Sequence, residues 1–164
     1  MTSSLPRLGA ILMISLLVAV PVALAEEITR DEYVARVEPI CKANTEANSR
    51  ILKGVKEQVK KDELLPAGSR FIRAASALGK AVKQIAAVPQ PAEDTTKLTK
   101  WIGYLKREEK YLREIGQALK ANDKKDKFRA QKLAVELNKN NNKANNTVIS
   151  FPFHECRIDS SRFL

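Results

Sequence analysis

From Tyr33 to Val148 the apolar residues recur at spacings of three and four, a period that selects helix and leaves no alternating run for a strand. Thr29-Arg30-Asp31-Glu32 fits a capping box, so the first helix is expected to begin near Arg30. Tyr33, Val37, Ile40, Asn44, Ala47, Ile51, Val55 and Val59 share one face of it. Pro39 interrupts this run and predicts a kink or a fresh segment there. The helix should end by Lys61, with Leu64-Leu65-Pro66-Ala67-Gly68 as a turn. A second helix is expected over residues 69–88, with Phe71, Ala74, Ala75, Leu78, Val82 and Ile85 as its stripe. Pro89 and Pro91 break the chain, and a third helix over residues 92–121 follows, with Leu98, Trp101, Ile102, Leu105, Leu112, Ile115 and Leu119 aligned. Asn122-Asp123 can end that helix and cap a fourth over residues 124–148, carrying Phe128, Ala130, Leu133, Ala134, Leu137, Ala144 and Val148. The tract Asn138-Lys139-Asn140-Asn141-Asn142-Lys143 forms helix poorly, so fraying is expected there. Four amphipathic helices with short connections predict an all-α, antiparallel four-helix bundle with a kinked first helix.

The first 25 residues read differently. Arg7, an apolar run over residues 8–20, the breaker Pro21 and the small-residue signature Ala23-Leu24-Ala25 form the pattern of a cleavable secretory signal. The apolar run is shorter than the 20 or so residues that a spanning helix needs. The expected organisation is a signal at 1–25, a helical domain at 26–149 and an irregular tail at 150–164. The expected location is outside the cytoplasm, with no membrane anchor left after cleavage. The whole chain carries 29 Lys and Arg against 19 Asp and Glu, a net charge of +10. Without Arg7 there are 28 against 19, or +9. Such a protein is drawn to anionic surfaces and polymers.

In an oxidising compartment the two cysteines, Cys41 and Cys156, are expected to pair. The closed loop is longer than about 100 residues, for which chain entropy gives up to roughly 4–5 kcal/mol. The bond would tie the tail to the first helix.

No constellation for catalysis or a cofactor is present. His154 is the single histidine, too little for zinc chemistry with Cys156 otherwise engaged. Phosphate-binding glycine loops, C-x-x-C-H haem attachment and a nucleophile elbow are all missing. Glu108-Glu109, Glu114 and Asp62-Glu63 read as solvated helix faces. The functional slant lies in the basic residues: Arg70, Arg73, Lys80 and Lys83 on one arc of the second helix, and Lys124, Lys125 and Arg129 on the fourth. If those helices are neighbours, they form a cationic surface for an anionic cell-envelope polymer or an envelope protein. Sequence-specific nucleic-acid binding is disfavoured, because no aromatic platform interleaves the charges.

Tyr33-(x)7-Cys41-Lys42-Ala43-Asn44, the Pro89-x-Pro91 hinge, Asn122-Asp123 and the C-terminal Cys156 together resemble a group of small exported bacterial helical-bundle proteins with one early and one C-terminal cysteine. Most of those proteins have no assigned function. The resemblance implies the bundle and the disulfide, and it carries over no active site. The expectation is therefore a non-enzymatic, exported envelope-binding or structural protein with a basic surface. The alternative is a small-ligand carrier or sensor with a pocket inside the bundle, near Trp101, Tyr104 and Tyr111.

Overall fold

A computed structural model describes residues 28–158, which places the signal segment outside the described part. The described chain contains helices α1 (Arg30–Leu52), α2 (Val55–Lys60), α3 (Leu64–Ala87), α4 (Thr95–Ala121) and α5 (Lys124–Thr147), with one 3-10 turn (Ala92–Asp94) leading into α4. No strand occurs among the described residues. With α2 as the bent end of the first helix, this is a four-helix bundle in which α3 packs on α1 and α4, and α5 packs on α4.

The capping box forms as read. Thr29 Oγ1 accepts from the Glu32 N–H at 3.2 Å, and Glu32 Oε2 accepts from the Thr29 N–H at 2.8 Å. These bonds to the ionised carboxyl hold Glu32 below the usual carboxylate range. The first helix bends at a different place from the one expected. It runs on through Pro39 and breaks at Gly54, whose φ of +80° is left-handed. Pro39 and Ala35 are both exposed, so water can reach the carbonyl that the missing N–H leaves free.

The stretch over residues 64–68, expected as a turn, is instead the start of α3. Asp62, at φ 64°, ends α2, and Pro66 then falls in the first helical turn, where its N–H would have no partner anyway. Leu64 and Ala67 are buried there. Gly68 faces Gly116 of α4 so closely that a Cβ on either would stand 2.5–2.6 Å from the other's carbonyl oxygen. Helices α3 and α4 meet backbone to backbone at this point.

All seven stripe residues of α4 are buried as expected. Asn122 (φ 59°) closes α4, and Asp123 Oδ1 accepts from the Asp126 N–H at 2.8 Å to open α5. The Asn-rich tract stays helical and packs on α4, with Asn140 Nδ2 donating to the Tyr104 carbonyl at 3.0 Å. Phe128, expected in the stripe of this helix, is 58% exposed.

The tail from Val148 to Ile158 is irregular but packed. Phe151 and Phe153 stack on each other, and Phe153 stacks on Trp101, both at 5.3 Å between centroids. Arg30 lies 4.9 Å over the Phe151 ring while its guanidinium grips the buried Asp94 at 2.7 and 2.9 Å. That grip, with Lys97 beside it, holds the Asp94 carboxyl below its ordinary range. Glu38 of α1 accepts from the N–H groups of His154, Glu155 and Cys156 at 3.0–3.3 Å. Asn145 of α5 donates to and accepts from the Ile158 backbone at 2.8 and 2.9 Å. The tail thus joins α1 to α4 and α5, and the Cys41–Cys156 disulfide, with Cα atoms 5.0 Å apart, fastens it.

Candidate functional site

A cavity of about 70 Å³ lies between α1, α3, α4 and the tail. Helical spacing puts Cys41, Asn44, Thr45 and Asn48 of α1 on one wall, Leu78, Ala81 and Ile85 of α3 on a second, and Trp101, Leu105 and Glu108 of α4 on a third. Residues 155–158 close the fourth side, with the disulfide itself in that wall.

Three residues of the lining carry buried polar atoms without a protein partner: Trp101 Nε1, Asn48 Oδ1 and Glu108 Oε2. Asn48 uses its Nδ2 on Asn44 Oδ1 at 3.3 Å, which leaves its carbonyl oxygen free. Burial pushes the Glu108 carboxyl up to about 8, so it is mostly protonated at neutral pH and can donate as well as accept. The cavity therefore offers an N–H donor, an amide acceptor and a neutral carboxyl against apolar walls. Orphaned polar atoms occur elsewhere, on Tyr33, Gln58, Gln90, Asn140 and Asn141, but these residues do not line the cavity. Burial alone pushes the Tyr33 hydroxyl up to about 12.

The carboxylate reading of Glu108 needs correction: it is half-buried against the cavity instead of lying on a solvated face. A signal for it existed. Glu108 stands three residues after Leu105 and four before Leu112, a core position of the α4 stripe, and Asn48 stands seven residues after Cys41 and four before Leu52 of α1, again in core register. Of the three aromatics expected around an internal pocket, Trp101 lines the cavity. Tyr104 carries Arg107 over its ring at 4.9 Å, and Tyr111 is half-buried.

The basic residues divide by role. The Arg70 guanidinium donates to the Ile51 and Lys53 carbonyls at 3.2 and 2.8 Å and so closes the C-terminal end of α1. Arg73, Lys80 and Lys83 are exposed on α3, and Lys125 and Arg129 on α5. Lys124 opens α5, with its side chain outside the described part. Helices α3 and α5 each pack chiefly along α4 and not along each other. His154 is exposed in the tail, and no group of three or more His, Cys, Asp or Glu among the described residues is placed to hold a metal ion. No described helix is long and apolar enough to cross a membrane. In comparisons with known proteins, no family model, curated protein or solved structure matched this chain.

Proposed function

We propose that the protein is an exported, non-enzymatic carrier or sensor that holds a small ligand in the cavity between α1, α3, α4 and the tail. The observation that carries this reading is the convergence of three unpartnered buried polar atoms on one cavity. A buried polar group without a partner costs about 1–3 kcal/mol, and a ligand that satisfies several of them recovers that cost. Export is supported by the apolar leader with its Ala23-Leu24-Ala25 signature and by a disulfide that suits an oxidising compartment.

The chemistry of the walls specifies the ligand class. Trp101 Nε1–H asks for an acceptor, and Asn48 Oδ1 asks for a donor. Glu108, neutral when protonated, gives an ionic ligand no counter-charge. A neutral molecule of a few heavy atoms, with one hydroxyl or amide on a short apolar body, fits these demands and a volume near 70 Å³. Titration with small alcohols and primary amides, followed by calorimetry and Trp101 fluorescence, tests the reading. Binding that weakens about tenfold in Asn48→Leu, the equivalent of one lost hydrogen bond, is the expected result. A crystal structure with only water in the cavity, together with no response to any such compound, would refute it.

The basic surface supports an anionic-polymer binder less directly, since Arg70 is engaged within the fold. Exposed Arg73, Lys80 and Lys83 remain as its basis on α3.

A further inference from the structure

The end of the bundle opposite in character to the cavity is both apolar and cationic. An open groove of about 270 Å³ runs between α2 and α5. Buried Leu64, Phe71, Ile115 and Leu119 form its floor, Val59 stands on one bank, and Ala130 and Ala134 form the other. A two-pronged ion pair, Lys127 Nζ to Asp62 at 2.6 and 2.7 Å, ties the banks together. Apolar side chains also stand in solvent: Val59 and Leu65 on α2 and α3, and Phe128 and Val135, one heptad apart on the side of α5 away from its buried Ala130, Leu137 and Ala144. Lys132 sits 4.6 Å over the exposed Phe128 ring. The segments that carry these residues, 53–65 and 124–139, hold ten Lys and Arg against five Asp and Glu.

We propose that the outward face of α5 docks on an anionic lipid bilayer, with Phe128 and Val135 entering the headgroup boundary and Lys125, Arg129 and Lys132 meeting lipid phosphates. Single apolar side chains set among long cationic ones describe an interfacial surface, because each Lys or Arg can lay its stem along the apolar layer and keep its charge at the phosphates. A protein partner fits less well, since the centres of protein interfaces are depleted in lysine. These cations supply the charge complementarity, and each one near an anionic leaflet adds to the attraction. The proposal is independent of the cavity, whose lining includes no residue of α5.

Co-sedimentation of the disulfide-bonded protein, as recovered from the expressing cell, with phosphatidylcholine vesicles that contain or lack phosphatidylglycerol tests it. Binding should need phosphatidylglycerol and weaken as salt rises. Phe128→Ser with Val135→Ser should weaken it about tenfold, in line with the loss of two partly inserted apolar side chains. Lys125→Glu with Arg129→Glu should abolish it. All four positions are exposed, so circular dichroism should show each variant folded. Equal binding to both vesicle types, unchanged binding in the Phe128/Val135 variant, or displacement of the protein from vesicles by a soluble polyphosphate at equal phosphate would overturn the proposal. The last outcome would identify a polymer surface instead. Loss of binding in Arg73→Glu/Lys80→Glu/Lys83→Glu with the α5 variants unaffected would also overturn it, by moving the contact to α3.

Discussion

Gly103 and Gly116 lie in the same helix, yet replacing each by alanine should move stability in opposite directions. In a helix interior alanine is favoured over glycine by about 1 kcal/mol, because the backbone entropy lost on folding is smaller. At Gly103 a Cβ would meet nothing within 4 Å, so Gly103→Ala should gain about 0.5–1 kcal/mol. At Gly116 the same atom would stand 2.6 Å from the Gly68 carbonyl oxygen and 2.7 Å from Ile72 Cγ1. Ile72 can swing aside, whereas the Gly68 oxygen belongs to the α3 backbone. Cβ atoms do not come within 3.0 Å of a neighbour, so α3 and α4 must part by at least about 0.4 Å where they pack most closely. Overpacking of this kind costs about 1–3 kcal/mol, and backbone against backbone belongs at the upper end. After the gain in helix propensity, Gly116→Ala should lose about 1–2 kcal/mol net, a fall in Tm of about 3–8 °C for a chain of this size. Thermal and urea unfolding followed by circular dichroism measure both variants under one set of conditions. Equal shifts of the same sign would refute the close approach of the two helices.

Three other outcomes follow from individual contacts. Glu108 has a folded-state pKa pushed up to about 8, above its unfolded value, so the folded state binds the extra proton between about pH 4.5 and 8. Stability should therefore fall as pH rises through that window, by at most about 1.4 kcal/mol per unit, and this part of the slope should vanish in Glu108→Gln when unfolding is measured at several pH values. Removing the acceptor in Glu38→Ala should speed hydrogen exchange at the amides of residues 154–156 and cost about 1–2 kcal/mol, with the disulfide still formed. Replacing both Cys41 and Cys156 by alanine, which opens a loop with a sequence separation of 115, should cost about 2–5 kcal/mol in chemical denaturation.

The parts of this fold legible in the sequence are those decided locally. The Thr29–Glu32 box, the α4 stripe and the Asn122-Asp123 junction each need only a few neighbouring residues to state their structure, and each formed as read. The misread parts turn on tertiary facts. A proline reads as a breaker in both Pro39 and Pro66, but the first lies on an exposed helix face and the second in a first turn, and only the packing of α1 and α3 distinguishes these from a true break. The Asn tract has poor helix propensity, yet it packs along α4, where Asn140 bonds to the Tyr104 carbonyl, a contact that exists only in the tertiary fold. Phe128 looks like a core residue by its type, but it points to the opposite side of α5 from the buried Ala130, Leu137 and Ala144.

The cavity follows the same division. Its polar residues occupy core register on their own helices and could be singled out as intrusions, but whether each finds a partner depends on which helix faces it. That in turn depends on the tail. Trp101 is covered by Phe153, and the open side of the cavity is closed by residues 155–158, all of which are positioned by Glu38, Asn145 and the Cys41–Cys156 bond. The two distant cysteines therefore do more than restrict the unfolded chain. They complete a wall, and with it the enclosure that keeps the Glu108 carboxyl from water and raises its pKa. A disulfide-free variant should accordingly show Glu108 titrating nearer to an ordinary carboxyl, even under conditions in which its helices remain folded.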